Sequence, residues 1–414
     1  MNDSGTGSEG VRDEAFHELP VNRNHWSIPD GVTYLNHGSF GPTPRVVQAA
    51  REEWSRRLSA DPMDFFLRQL DGALDTAIGR LGEWIGTDPG ELVFVDNATV
   101  AMNVVAATLK LEPGDEVLLN DHEYGAVFRI WRTACERAGA KLVAPAIGTG
   151  DDAQPRRFHN ISEIVQPIEE AITPRTKLIV ISQITSPTAI VFPVEEICRR
   201  AKARGIPVCI DGPHAIAMRK LNLRSLDCDF YCASLHKWLS APLGSGFLYV
   251  RRKWQSQLKP HLTSWGRSLG GCGPRWQDEL NWLGTRDPAS FLSVPAAIDF
   301  LEQTGADEFR RQTHALAQYA RGRLEPIIGQ TATIPDSIDW YGSMVAIPLP
   351  PNPQKKPRPN AIHPLQQELW DRHRIEILVT ECHGHRYLRV SCHLYNTREE
   401  VDMLCDALLT HGSK

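Results

Sequence analysis

Short apolar segments alternate with longer helix-like segments through the first two thirds of the 414-residue chain. Seven of the apolar segments have the length of a strand, and they lie at 91–95, 116–120, 141–144, 177–182, 207–211, 230–234 and 246–250. Most gaps between them carry a helical pattern, as at 98–110, 126–138 and 194–203. Strands that alternate with helices favour a parallel sheet covered on both faces. The sequence therefore predicts an α/β fold with a large domain around a seven-stranded, mostly parallel sheet.

The pattern changes after residue 254. Residues 261–276 are rich in Gly and Trp and predict a long loop. Two helical patterns follow, and then come short strands predicted at 345–348, 375–379 and 387–392, with a last helix at 398–409. We interpret the chain as an N-terminal segment (1–44) that joins the small domain, a large domain (45–295) and a smaller α+β C-terminal domain (296–414).

Composition and charge exclude several classes of protein. The formal net charge is −5, which gives no electrostatic footprint for nucleic acid or an anionic membrane. The apolar runs are far shorter than the roughly 20 residues that span a bilayer. The polar, acidic N-terminus does not resemble a signal peptide, and nine scattered cysteines form no disulfide framework. We expect a reduced cytoplasmic enzyme that acts on a small molecule.

A carboxylate and an amine follow two successive predicted strands. Asp211 and Lys237 are 26 residues apart, about the length of one strand–helix–strand crossover. Parallel strands deliver their carboxyl ends to one edge, so these side chains can face a common crevice. Such a pair suits a pyridoxal phosphate enzyme, in which the amine forms a Schiff base and the carboxylate keeps the pyridine nitrogen protonated. A structural salt bridge is the alternative that this pair alone leaves open.

Groups suited to a phosphate surround the lysine. Ser234 and His236 flank Lys237 with hydrogen-bond donors. Residues 97–99 open a helix directly after a strand, and backbone N–H groups at a helix N-terminus bind phosphate well. Thr99 has a second interpretation as a plain N-cap of that helix.

Eight short motifs in a fixed order extend from the N-terminal segment to the C-terminal domain. They are YLNHGSFG (34–41), DNAT (96–99), DHEYGA (121–126), TSPT (185–188), DGPHA (211–215), SLHKW (234–238), GTRD (284–287) and LRVS (388–391). Through them the sequence resembles the class V, fold-type I pyridoxal phosphate enzymes, which include cysteine desulfurases and isopenicillin N epimerase. The first and seventh motifs resemble the isopenicillin N epimerase-like branch most closely.

The resemblance implies a role for each matching residue. Lys237 would carry the Schiff base and move the α-proton, Asp211 would pair with the pyridinium, and Tyr124 would lie against the cofactor face. The cofactor, pyridoxal 5'-phosphate, would be bound by Ala98, Thr99, Tyr124, Ser186, Asp211, His214, Ser234, His236, Lys237 and Thr285. Thr285 would come from a second subunit, so a homodimer with composite active sites is expected. The substrate would contact Asn36, His37, Gly38 and Arg389, the last clamping its carboxylate.

Three functions stay open at this point. The sequence favours an epimerase or aminotransferase that labilises the α-hydrogen of an amino acid. A cysteine desulfurase or C–S lyase is the alternative, although Cys382 lies only seven residues before Arg389 and is better interpreted as a buried, inert thiol. A non-catalytic relative of the fold is the third.

The sequence predicts no metal site. Cys382, His383, His385, Cys392 and His393 lie close together along the chain. Their spacing fits no standard zinc pattern, and neighbouring strands near a pocket would bring such residues together in any case.

Overall fold

All seven predicted strands of the large sheet are present. The computed structural model describes residues 22–148, 154–268, 270, 273–351 and 362–412, so residues 1–21 of the predicted N-terminal segment lie outside it. After a first short strand, β1 (Thr33–Tyr34), the strands of this sheet are β2 (Leu92–Val95), β3 (Glu116–Leu118), β4 (Lys141–Val143), β5 (Thr176–Ser182), β6 (Val208–Asp211), β7 (Phe230–Ser234) and β8 (Gly246–Val250). The predicted α/β architecture is confirmed.

One strand of the large sheet runs against the others. The strand order is β2-β8-β7-β6-β5-β3-β4, and β8 pairs antiparallel with both of its neighbours. Because β8 is reversed, its first residue lies at the edge where the parallel strands end. The segment between β7 and β8 is a short return that carries Lys237, with no crossover helix.

Helices cover both faces of the large sheet. The longer helices of the molecule are α1 (Arg45–Ala60), α3 (Leu70–Ile85), α4 (Ala98–Thr108), α5 (Gly125–Ala138), α6 (Ser162–Glu170), α7 (Val194–Ala203), α12 (Val294–Thr304), α13 (Ala306–Ile328), α14 (Pro364–His373) and α15 (Arg398–Gly412). Of these, α13 and α14 pack against strands of the C-terminal part, and α15 packs against α13. The short ones are α2 (Pro62–Asp64), α8 (Leu223–Leu226), α9 (Arg252–Gln255), α10 (Asp278–Asn281) and α11 (Ala289–Leu292). Alternate residues of β5 enter separate apolar clusters, Leu178 and Val180 one and Ile179 and Ile181 the other, as expected for a sheet buried on both faces.

The C-terminal part contains two further small sheets. Strands β9 (Met344–Pro348), β11 (Leu378–Cys382) and β12 (His385–Ser391) form an antiparallel sheet, and β1 pairs in parallel with β10 (Ile375–Glu376). The single strand predicted at 375–379 is wrong in this respect, because the chain passes from one sheet to the other at Ile377. The domain boundaries at 44 and 295 stay predictions.

None of the described helices has the length and apolar character needed to cross a membrane.

Candidate active site

Asp211 and Lys237 meet at one edge of the large sheet. Asp211 is the last residue of β6 and pairs with Cys232 of the neighbouring strand β7, which ends three residues before Lys237. Gly212 then crosses Tyr231 so closely that a Cβ atom there would lie 2.1 Å from the tyrosine hydroxyl oxygen. A glycine is therefore required directly after the carboxylate.

His214 holds the lysine amine in place. The Trp238 indole N–H donates to Nδ1 of His214 at 3.1 Å, so the neutral ring carries its proton on Nε2. Nε2 lies 3.1 Å from Nζ of Lys237 and can donate to it only if the amine is unprotonated. Burial lowers the pKa of Lys237, and the nearby Arg389 lowers it further, whereas Asp211 raises it. The geometry and the charges both favour a neutral, nucleophilic amine.

A second buried carboxyl group accompanies Asp211. Glu123 accepts hydrogen bonds from the backbone N–H of Ser182 at 2.6 Å and from its hydroxyl at 2.8 Å. Burial raises the pKa of Glu123, and the charge of Asp211 raises it further. Burial also raises the pKa of Asp211, and Lys237 opposes this shift. Sequence analysis missed Glu123, because its proximity to Asp211 depends on the pairing of β5 with β6.

The residues expected to bind phosphate surround the N-terminus of α4. The backbone N–H of Ala98 donates to Oγ of Ser234 at 3.0 Å. Asn97 is the N-cap, since it accepts from the backbone N–H of Val100, so the interpretation of Thr99 as the N-cap is wrong. Thr99 is exposed in the first helical turn.

A buried nitrogen at this place has no partner. Nδ1 of His236 is buried and makes no hydrogen bond within the described part of the chain. The N-terminus of an eleven-residue helix, the serine hydroxyl and this unpaired ring nitrogen together suit an anion. The residues present therefore fit the phosphate of the expected cofactor.

Arg389, on β12, is buried and close enough to Lys237 to lower the pKa of its amine, and we call the space between these two residues the cleft. Nη1 of Arg389 donates to the carbonyl oxygen of Ser186 at 2.7 Å and its Nη2 to Oγ of Ser39 at 2.9 Å, while its Nε has no partner among the described residues. Burial lowers the pKa of Arg389 to about 9. A cation that is 1% exposed with an unused donor suits a substrate carboxylate.

Tyr124 and Ser186 border this side of the cleft. Tyr124 precedes α5 and is 51% exposed, and its hydroxyl group is close enough to Arg389 to raise the pKa of the guanidinium. Ser186 is half-buried, and its hydroxyl oxygen lies 3.3 Å from Nη1 of Arg389. The cofactor role predicted for each stays a prediction.

The first motif contacts both sides of the cleft, because Gly38 lies near Arg389 and His37 lies against the backbone of Lys237. The side chain of Asn36 accepts from Ser39 at 2.7 Å, and a Cβ atom at Gly38 would lie 3.4 Å from Nη2 of Arg389. His37 is fully buried, with Nδ1 2.8 Å from the Tyr395 hydroxyl and Nε2 3.0 Å from the backbone carbonyl oxygen of Lys237. Both ring nitrogens of His37 thus already bind protein groups, and its predicted contact with the substrate stays a prediction.

Thr285 is exposed. Its neighbour Arg286 is fixed by a salt bridge to Asp96 at 3.0 Å. The predicted contribution of Thr285 to a second subunit stays a prediction.

The sequence matches a known family over most of its length. Residues 34–404 match the family described as Aminotransferase class-V. The chain therefore belongs to this family of pyridoxal 5'-phosphate enzymes, and both the predicted family and the predicted cofactor are confirmed.

Relatives with several activities are similar to this chain. Isopenicillin N epimerase from Streptomyces clavuligerus is 36% identical over 397 residues, which cover 93% of this chain and 96% of that protein. A putative L-cysteine desulfhydrase from Oryza sativa subsp. japonica is 30% identical over 334 residues, covering 77% of this chain and 67% of that protein. The apo structure of a cysteine desulfurase from Thermococcus onnurineus NA1 superposes with a TM-score of 0.78 at 22% identity, covering 96% and 99% of the two chains. This structural likeness confirms the fold-type I architecture.

Proposed function

We propose that the protein labilises the α-hydrogen of an amino-acid substrate and gives an epimerised or transaminated product, as an isopenicillin N epimerase-like enzyme. The observation that carries the proposal is the proximity of the half-buried Lys237 amine to the buried Arg389 guanidinium in one cleft. The 36% identity to an isopenicillin N epimerase over nearly the whole chain supports the same reaction class. A non-catalytic scaffold would have no need to shelter an amine and a guanidinium from water in the same cleft.

The residues on the sheet edge would hold the cofactor. Pyridoxal 5'-phosphate supplies an electron sink that makes the α-hydrogen acidic. Asp211 would pair with its pyridine nitrogen, and Ser234, His236 and the N-terminus of α4 would bind its phosphate. His214 keeps Nζ of Lys237 aligned through the 3.1 Å contact, so this amine is placed to take or return a proton.

The residues opposite would orient the substrate. Arg389 presents a planar guanidinium that Ser39 and Ser186 hold at Nη2 and Nη1. A carboxylate that binds this fork would leave the α-carbon facing Lys237. Tyr124, exposed in the same cleft, is the candidate for a second proton carrier, since His37 is enclosed by protein.

Desulfurase activity is the alternative, and the position of Cys382 argues against it. A desulfurase needs a mobile, accessible thiolate. Cys382 is 7% exposed and ends strand β11, where its backbone pairs with His385. After incubation with cysteine we expect mass spectrometry to find no persulfide on Cys382; a stoichiometric persulfide there would favour the desulfurase.

We also infer a homodimer in which Thr285 completes the partner's phosphate site. The support is the exposure of Thr285 in a segment fixed by the Arg286–Asp96 salt bridge. Co-expression of Lys237→Ala and Thr285→Glu chains tests it, because a mixed dimer would hold one intact site. Recovery of a quarter to half of the activity is expected; no recovery on mixing, or a monomer that retains cofactor, would contradict it.

A cytoplasmic location is part of the same proposal. All eight cysteines among the described residues are unpaired and buried, as in proteins of reducing compartments. Cell fractionation with an antibody against the chain would test this.

The decisive experiment is a screen of amino acids for α-proton exchange in deuterated water. It reports the step shared by epimerase and aminotransferase without presupposing the product. Exchange that requires Lys237 would support the proposal, whereas release of sulfide or pyruvate from cysteine without exchange of other amino acids would favour a lyase.

A further inference from the structure

Metal-ligating side chains from two distant parts of the chain meet beside the cleft. His122 lies in the loop after β3, and Cys382 and His383 lie at the hairpin between β11 and β12, 260 residues later. One donor atom from each of the three side chains lies within 4.8 Å of the other two. The distance from Sγ of Cys382 to Nδ1 of His122 is 3.9 Å.

The five residues considered as a cluster in the sequence separate in the structure. His393 stacks on His37 behind Lys237, with ring centroids 3.9 Å apart, and takes no part in the hairpin group. His122 is 260 residues away in the sequence, but in the structure it lies beside Cys382 and joins the hairpin group instead of His393. The group formed by His122, Cys382 and His383 therefore differs from the sequence cluster whose spacing fits no standard zinc pattern.

Asp121 supports this group in the manner of an outer-shell carboxylate. Its Oδ2 lies 3.1 Å from Nε2 of His383 and accepts from the backbone N–H groups of Ile147 at 2.9 Å and Gly148 at 3.1 Å. Histidines that bind a metal usually donate their other ring N–H to such a carboxylate. With Nε2 donating to Asp121, Nδ1 of His383 is left to act as a ligand.

The ring of His122 has an unused nitrogen. Its Nδ1 contacts the hydroxyl of Thr188 at 2.9 Å, whereas its Nε2 is buried and has no hydrogen-bond partner among the described residues. The side chain is only 2% exposed, so water does not satisfy this atom. The nitrogen that faces Cys382 is Nδ1, so an ion bound there would replace its contact with Thr188, and Nε2 would carry the ring proton toward Oδ1 of Asp121, 4.0 Å away.

The donor set and its size select a class of ion. One thiolate and two imidazoles suit Zn²⁺ and exclude hard cations such as Mg²⁺ and Ca²⁺, which prefer oxygen ligands. In a tetrahedral zinc site, bonds of about 2.0–2.3 Å place the donors roughly 3.3–3.8 Å apart. Mutual distances within 4.8 Å therefore require only small side-chain movements to close around the ion.

We propose that His122, Cys382 and His383 bind one zinc-class divalent ion, with Asp121 orienting His383 and a water in the fourth position. Cys382 gives up its thiol proton to solvent when the ion binds. The ion would tie the loop that leads to Tyr124 to the hairpin that leads to Arg389. It would therefore act as a clip between the two sides of the cleft, separate from the cofactor.

Metal titration of the full-length holoenzyme tests the site. The protein is dialysed against a chelator, reloaded with one equivalent of Zn²⁺ or Co²⁺, and analysed for retained metal by mass spectrometry. We expect one tightly held ion per chain, and with Co²⁺ the intense visible absorption of a tetrahedral thiolate site, at longer wavelength than the cofactor band. A wild-type protein that retains no metal, or binds Co²⁺ only as an octahedral ion, would overturn the proposal.

Two variants and a matched control assign the ligands. Cys382→Ser and His383→Asn should each weaken Zn²⁺ binding at least about tenfold, since each removes a protein ligand. His385→Asn changes the same hairpin outside the three-residue group and should retain the ion. Circular dichroism in the presence of chelator identifies any variant that fails to fold. Equal retention by all three variants, or equal loss, would overturn the assignment.

Discussion

The two sides of the cleft are built in different ways. The cofactor side, formed by Lys237, Asp211, His214 and Ser234, comes from successive strand ends of one sheet. The carboxylate side joins Arg389 to Ser39 and Ser186, which are 350 and 203 residues away in the sequence. The first side needs only the order of the strands, and the second needs three separate parts of the chain to come together.

This difference indicates that substitutions can change cofactor binding and substrate binding separately. Groups on the cofactor side contact one another through the sheet, whereas Arg389 depends on loops that enter from elsewhere. We expect cofactor affinity and substrate affinity to respond to different substitutions. Single substitutions on each side of the cleft can test whether the two affinities are independent.

The largest effect is expected from Lys237→Ala. Removing the amine that His214 holds should lower the rate of α-proton exchange by at least about 10²–10⁴-fold, the usual contribution of a positioned acid–base group. Exchange is followed by NMR in deuterated water. Lys220→Ala, at an exposed lysine, is the control and should retain the rate. Residual exchange within tenfold of the wild type would mean that another group moves the proton.

A smaller and more selective loss is expected from Arg389→Lys. Lysine keeps the charge but cannot form the planar, two-pronged contact with a carboxylate. Loss of a charged hydrogen bond, worth about 1.5–3 kcal/mol, corresponds to roughly a 10- to 150-fold fall in kcat/KM. Equilibrium cofactor binding should stay within about twofold.

Arg386→Lys, near the other end of the same strand, is the matched control for Arg389. It should leave kcat/KM unchanged. If Arg389→Lys weakens cofactor binding as much as it weakens substrate binding, the two sides of the cleft are coupled and do not act independently.

His37 lies where the two sides meet and should make stability depend on pH. Burial lowers the pKa of His37 from 6.5 to about 3. Below pH 6.5 the unfolded chain therefore binds a proton at this residue that the native protein does not bind. Stability is therefore present above pH 6.5 and declines as the pH falls toward 3. Between pH 7 and pH 5 this histidine alone should cost about 2 kcal/mol of unfolding free energy.

Urea unfolding of His37→Gln at the two pH values measures this contribution. The variant should lose about 2 kcal/mol less than the wild type between pH 7 and pH 5. His159→Gln, at an exposed histidine, is the control and should match the wild type. An identical pH dependence in all three proteins would mean that His37 becomes protonated in the folded state.

The smallest effect is expected from Ser234→Ala. The hydroxyl that accepts from Ala98 at 3.0 Å also faces the expected phosphate, and one neutral hydrogen bond is worth about 0.5–1.5 kcal/mol. The dissociation constant of the cofactor should rise about 3- to 10-fold, measured by fluorescence, with KM for the substrate unchanged. Ser225→Ala, on the exposed face of α8, should change neither value.

The sequence was sufficient for most of the cofactor side. Short apolar runs located the seven strands, and the 26-residue interval placed Asp211 and Lys237 on one edge. The helix after β2 was also predicted, but its N-cap was not: Asn97 and Thr99 are both good caps, and only the extended backbone at Asn97 decides between them.

The carboxylate side could be predicted only by resemblance. Nothing in the residues around Ser39 indicates that a buried arginine 350 positions later will bind it. Glu123 and His122 were missed for the same reason, since their partners come from other strands. The break at Ile377 was missed because a two-residue strand such as β10 carries no periodic signal.

Gly212 has a consequence for how descendants of this chain can change. A side chain at that position would strike Tyr231, whose hydroxyl is fixed to Gln183 at 2.7 Å. The restriction comes from a ring packed inside the sheet and is independent of the reaction. A descendant that had lost catalysis would still inherit Gly212 for as long as it kept the tyrosine, while Lys237 would be free to drift. If a related protein keeps the glycine at position 212, this indicates only that it keeps the same packing. If it also keeps the lysine at position 237, this indicates selection for the reaction.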